Sequence, residues 1–330
     1  MKLQVPFVQL PLQFDADLLR RELAALDGSR WREHPQKFPG NFALPLISVD
    51  GDPYSDAVSG VMRPTPYLAE CPYLMQVLST LGGVWGRTRL MKLSGQAEVS
   101  PHADINYYWR ERVRVHVPIL TQPSVRFLCG DAEVNMAPGE CWIFDTWRSH
   151  RVINAADEER VHLVADTVGS ARFWDLVGKG RAPGAGDFSG WTAHPVSFDS
   201  GSGSPLRFES VNVPTVMTPW EMREHFGFLL RDIIPHPQLG IVHQMITQLQ
   251  TVWQSLWAEH GDDVSAWPLY RRELDAFESA MAQAALPLRL VNGADFLSTL
   301  RAMLLRVALA DHEVAAAADE PRVPASAGAK

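Results

Sequence analysis

The chain has 330 residues, a formal net charge of -8, 46% hydrophobic and 21% charged residues, a composition ordinary for two globular units with their own cores. The acidic balance and scattered Lys and Arg exclude a basic field for nucleic acid or an anionic membrane, and no apolar run is long enough to span a bilayer. Three cysteines, Cys71, Cys129 and Cys141, match no zinc spacing and suit a reducing compartment, and no signal-peptide core follows Met1, so a cytoplasmic protein is expected.

In chain order, Val5 to Phe14 alternates apolar and polar residues around Pro6 and Pro11, the pattern of an edge strand. Asp15 caps a predicted helix from Ala16 to Leu26, Asn41 to Ser48 predicts a strand before the Asp50-Gly51-Asp52-Pro53 turn, and Pro72 to Leu81 predicts a helix closed by Gly82. Short β-rich segments then recur at Trp85–Lys92, Arg112–Leu120, Ser124–Leu128, Glu140–Phe144 and Arg160–Val168, separated by turns such as Gly130-Asp131 and Pro138-Gly139. Many short strands at close spacing predict a β-sandwich or jelly-roll barrel, mainly β with helices, over residues 1–177. Glycines and prolines crowd residues 178–205, which read as a linker or an excursion over the barrel mouth. Helical periodicity follows at Pro219–Arg231, Gln238–Glu259, Pro268–Ala285 and Gly293–His312, a C-terminal helical domain spanning 206–312, before an Ala-, Pro- and charge-rich tail at 313–330 expected to be disordered.

The chemistry concentrates in the β-rich part. In an extended strand, His102 and Asp104 point to one side and can share a metal, with His150 arriving from another strand. Two imidazoles and a carboxylate leave three open positions, the arrangement associated with oxygen-activating Fe(II). Arg160 follows at the head of the last β-segment. A guanidinium inside a barrel needs an anion, and the distal carboxylate of 2-oxoglutarate is a suitable one, bound through two parallel hydrogen bonds. Arg114 and His116 alternate on a middle strand and line the same predicted pocket. Arg87 and Arg89 alternate on an earlier strand as holders of a substrate carboxylate, and Tyr107 and Tyr108 are candidates for shaping the substrate mouth.

His-x-Asp pairs are common, and the chain holds its own decoy in His260-Gly261-Asp262, His312 and Arg322. That set sits at a predicted helix end and in the tail, where the ligand geometry fails. His162 reads as a packed strand histidine, and Arg114 has the competing option of a neighbouring carboxylate.

The runs His102-Ala-Asp104, Arg112-Val-Arg114-Val-His116-Val-Pro118, Pro138-Gly-Glu140-Cys-Trp142-Ile-Phe144-Asp145, Ser149-His150-Arg-Val-Ile-Asn154 and Glu159-Arg160-Val-His-Leu-Val-Ala-Asp166 resemble the aspartyl/asparaginyl β-hydroxylase family and its bacterial cis-proline hydroxylase relatives. The resemblance covers roughly residues 85 to 175. It implies a double-stranded β-helix and hydroxylation of an amino acid, free or in a peptide, using O2 and 2-oxoglutarate. It maps the iron ligands onto His102, Asp104 and His150, and the 2-oxoglutarate contacts onto Arg160, Arg114 and His116. Animal aspartyl hydroxylases carry glycine where Asp104 stands, so the carboxylate sides with the proline hydroxylases. Related halogenases lack that carboxylate, so its presence favours hydroxylation. The competing expectations are a non-catalytic barrel that binds a ligand or protein, and a cupin enzyme without a co-substrate. The helical domain offers a face for packing on the barrel, for homodimerisation or for covering substrate.

Overall fold

The computed structural model describes residues 1–35, 38–186, 188–199, 201 and 205–310. The predicted tail and the decoy's His312 and Arg322 lie outside them. Two compact units emerge: Met1–His102 with Glu111–Ser210, and Ala103–Arg110 with Val211 onward.

The first unit runs β1 (Phe7–Phe14), α1 (Ala16–Ala25), β2 (Arg32–Glu33), β3 (Asn41–Val49), β4 (Met62–Pro64), α2 (Pro66–Ala69), α3 (Pro72–Leu81), β5 (Val84–Leu93) and β6 (Glu98–His102). After α4 (Tyr107–Glu111) come β7 (Val113–Leu120), β8 (Val125–Cys129), β9 (Ala132–Val134), β10 (Glu140–Phe144), β11 (His150–Asn154), β12 (Arg160–Gly169), α5 (Ala171–Gly178), β13 (His194–Val196) and β14 (Arg207–Phe208). The local signals act as expected. The Asp15 carboxylate accepts from the amides of Asp17 and Leu18, and Gly82 ends α3 in the left-handed region at φ 69°.

The larger sheet is ordered β13-β1-β10-β7-β12-β5-β3-β2, with β14 beside β5 and β4 beside β3; the smaller is ordered β6-β11-β8-β9. From β5 to β12 the chain crosses between the sheets, β5, β7, β10 and β12 in one and β6, β8, β9 and β11 in the other. That alternation makes the double-stranded β-helix. Phe7, Leu93, Phe127, Trp142, Phe144 and Val152 fill the space between the sheets, the contiguous apolar core such a sandwich needs.

Three expectations are corrected. β1 is not an edge: it pairs with β10 on one side and β13 on the other, and Pro11 falls within a register shift where its missing N–H costs no ladder bond. The described residues of 178–205 do more than link, because Arg181 bridges Gln9, His194–Val196 lie parallel to β1, and the Tyr73 hydroxyl donates to the Val196 carbonyl at 2.6 Å. The first unit therefore runs on to Ser210. The strand carrying His102 ends at that residue, so Asp104 lies beyond β6 in non-repetitive chain.

Gly95, in the turn from β5 to β6, abuts the Asp157 carbonyl of the neighbouring turn, where a Cβ would collide with backbone. Gly95→Ala should therefore destabilise the unit by about 1–3 kcal/mol, read as a lowered denaturant midpoint. An unchanged midpoint would mean that the two turns are not packed this way.

The second unit contains α6 (Pro219–Asp232), α7 (Leu239–His260), α8 (Trp267–Ala285) and α9 (Phe296–Leu300). The helix expected from Gly293 starts later, capped by the Asp295 carboxylate on the Ser298 amide at 2.7 Å, and passes at Arg301 into a π-helical turn. Trp253 packs on Tyr270 with centroids 4.6 Å apart and donates its indole N–H to the Met217 carbonyl at 2.8 Å. Residues 103–110 join this unit: the Tyr107 hydroxyl donates to Glu221 at 2.6 Å, its ring meets His225 edge-on, and Arg110 lies over Phe228. No helix among the described residues is long and apolar enough to cross a membrane.

Candidate metal centre and anion-binding residues

His102 and His150 are direct cross-strand partners on β6 and β11, which brings their ring centroids to 4.2 Å. Asp104 is 1% exposed. One ligand-competent atom from each of His102, Asp104 and His150 lies within 4.8 Å of the other two. The imidazoles are oriented alike: Nδ1 of His102 meets the Ser100 carbonyl at 2.8 Å, and Nδ1 of His150 meets the Arg148 carbonyl at 2.9 Å. A carbonyl oxygen can only accept, so each Nδ1 carries the proton and each Nε2 keeps its lone pair for a metal. Two imidazoles that turn their Nε2 atoms away from these carbonyls, with a carboxylate, fit a divalent first-row cation, with positions left open for small molecules.

The inner face of the larger sheet carries most of the remaining buried charge. Facing residues in register share a face, so Arg160, His162 and Asp166 of β12 join Arg114 and His116 of β7 and Arg89 of β5. The His116 ring meets Phe127 of the smaller sheet edge-on at 5.3 Å, which identifies that face as the barrel interior.

Arg160 is 4% exposed and burial pushes its pKa down to about 9. It therefore stays cationic near neutral pH. Its Nη2 lies 2.6 Å from His162 Nδ1, and His162 Nδ1 lies 3.3 Å from His116 Nδ1. Burial, reinforced by the Arg160 charge, holds both histidines well below their usual range, so both are neutral.

A second cationic group sits further along the sheet. Arg114 donates to Asp166 at 3.0 Å, and Arg87 donates to the Asp56 carbonyl at 3.2 Å. Arg89 is 6% exposed; burial first, then repulsion from Arg87 and Arg114, lowers its pKa to about 9.

The structure thus brings His102, Asp104 and His150 together and places Arg160, Arg114, His116 and Arg89 on one interior face. It also engages Arg114 Nε with the Asp166 carboxylate. Tyr107 is engaged by Glu221 and His225, and Tyr108 packs edge-on against Trp109 at 4.5 Å. His162, expected as packing, is the direct partner of Arg160. Its alternation with Arg160 was the one sequence signal for this.

Residues 53–169 match the family model described as Aspartyl/Asparaginyl beta-hydroxylase. No curated protein matches the chain. Among solved structures, the chain is similar to a 2OG-Fe(II) oxygenase family oxidoreductase from Burkholderia pseudomallei at 17% identity, TM-score 0.37, covering 51% of this chain and 88% of that one. It is also similar to a Pseudomonas putida prolyl-4-hydroxylase at 16% identity, TM-score 0.34, covering 50% and 92%. A cupin-superfamily sugar phosphate isomerase from Silicibacter pomeroyi aligns over 26% of this chain and 50% of that one, at 23% identity and TM-score 0.21. The family match, about a third of the chain, takes in all three metal-competent residues and Arg160.

Proposed function

We propose that the protein is an Fe(II)- and 2-oxoglutarate-dependent hydroxylase acting on an aliphatic C–H of a free amino acid, or of an Asp-, Asn- or Pro-like residue in a peptide. The observation that carries this reading is the convergence of His102, Asp104 and His150. His102 and His150 stand on paired strands of the barrel whose interior also holds the buried cation Arg160.

His102, Asp104 and His150 would hold the iron. When bound, iron with 2-oxoglutarate and O2 supplies the oxidising equivalent for hydroxylation. The chain's own residues supply placement. Arg160 anchors the distal carboxylate of the co-substrate through its fork of N–H donors. Its burial strengthens that attraction and keeps water from competing. Arg89 lies opposite Val164, four residues along β12 from Arg160 and thus about 13 Å away along the strand. That spacing lets a second carboxylate, the substrate's, be held by Arg87 and Arg89 with Arg114 beside them. Phe127 and Phe144, packed around His116 and His150, give the reacting region an apolar wall.

Anaerobic addition of 2-oxoglutarate to Fe(II)-loaded protein should produce a visible charge-transfer band. Arg160→Ala should raise the 2-oxoglutarate concentration needed for half the signal by about 100-fold, as loss of a buried, charge-assisted bidentate contact implies. Unchanged titration would reject the role of Arg160. No band from folded, metal-loaded wild-type protein would instead favour a non-catalytic jelly-roll binding module.

A further inference from the structure

Within the barrel interior, His162 is 1% exposed and Arg160 and His116 are 4% and 5% exposed, yet their hydrogen bonds are incomplete. Among the described residues, no partner is found for Arg160 Nε, His162 Nε2 or His116 Nε2. A buried polar atom without a partner is costly and rare. Three of them in one connected chain of side chains point to a ligand.

The proton positions follow from the contacts. A guanidinium can only donate, so the 2.6 Å contact from Arg160 Nη2 requires a lone pair on His162 Nδ1. His162 therefore carries its proton on Nε2, which is the atom without a partner. His116 Nδ1, 3.3 Å from the same His162 atom, must then be the donor in that weaker contact. Its own Nε2 is left as a lone pair. Burial keeps both rings neutral, so this tautomer pattern persists near neutral pH. The two open donors, Arg160 Nε–H and His162 Nε2–H, belong to residues two apart on one strand and on one face.

We propose that His162 is a co-substrate-binding residue: its Nε2–H and the Arg160 guanidinium together take the distal carboxylate of a 2-oxo diacid, while His116 is a positioning residue that fixes the His162 tautomer. The proposal rests on the oxygenase reading above. It exchanges the roles the two histidines carry in the sequence reading, where His116 was the contact and His162 the packing residue. A lone pair on His116 Nε2 repels a carboxylate, whereas the N–H on His162 attracts one.

The test compares binding of 2-oxoglutarate with that of pyruvate, a 2-oxo acid without the distal carboxylate, to anaerobic Fe(II)-loaded protein. His162→Asn keeps an oxygen for the Arg160 N–H but cannot reach the ligand, and should weaken 2-oxoglutarate binding on the order of 10- to 100-fold while leaving pyruvate binding unchanged. His162→Gln, whose amide nitrogen reproduces the position of Nε2, should restore 2-oxoglutarate binding to within about threefold. Equal losses for both acids would mark His162 as merely structural and overturn the proposal. So would unchanged 2-oxoglutarate binding in His162→Asn, or failure of His162→Gln to rescue. Wild-type protein that binds its metal but neither acid would reject the oxygenase reading itself, and the proposal with it.

Discussion

His150→Ala is expected to weaken divalent metal binding by more than about 100-fold, beyond the 10- to 100-fold that losing an outer-shell partner alone costs. His150 is held from both sides, opposite His102 on β6 and Cys129 on β8, so the protein arrives at the metal with this donor already placed. The ring also packs edge-on against Phe144 at 4.8 Å, so removing it costs packing as well as a ligand. His150→Gln separates these effects by keeping much of the volume without the imidazole. Titration with Co(II), followed by its visible absorption, should show loss of binding in both variants with only the alanine form clearly less stable. Wild-type affinity in either variant would dissolve the three-residue centre.

The second large effect is structural. Arg112 and Glu209 are 5% and 2% exposed at the side chain, and Arg112 Nε reaches both carboxylate oxygens, at 2.9 and 3.1 Å. They stand beside the points where the chain re-enters and finally leaves the first unit, at Glu111 and Ser210. Breaking a buried pair strands the remaining charge, at a cost of about 3–5 kcal/mol. Glu209→Ala should therefore lower Tm by about 10 °C for a unit of this size. The double variant Arg112→Met/Glu209→Leu should recover most of that loss, since two apolar side chains leave no orphaned charge. Calorimetry of the three proteins decides it. A single variant as stable as wild type would mean that the pair is not buried in solution.

How far the sequence could be read depended on the range of the interaction. Asp15, Gly82 and the alternating strands act on their neighbours, so α1, α3 and the strand from Val84 were legible to within a few residues. His102-x-Asp104 named two residues that the structure brings within reach of His150, but through an incorrect local picture, since the strand stops at His102. Strand β11 escaped because Arg-Val-Ile-Asn is short and half polar, and its identity comes from pairing with β6 and β8. Strand β13 lies within a Gly- and Pro-rich stretch whose composition says loop, while its backbone bonds to β1 say otherwise. The attachments of Arg114 to Asp166 and of Arg160 to His162 depend on cross-strand register and on which ring nitrogen carries a proton. Neither is written in residue order.

The passage of Ala103–Arg110 into the helical unit limits how the gene can be cut. An apparently natural stop codon after Ser210 would keep every strand of the barrel, yet strip Tyr107 of Glu221 and His225 and Arg110 of Phe228. The peptide that carries Asp104 would lose what it folds against. Transplanting the strands alone would thus carry Asp104 without the packing around its peptide.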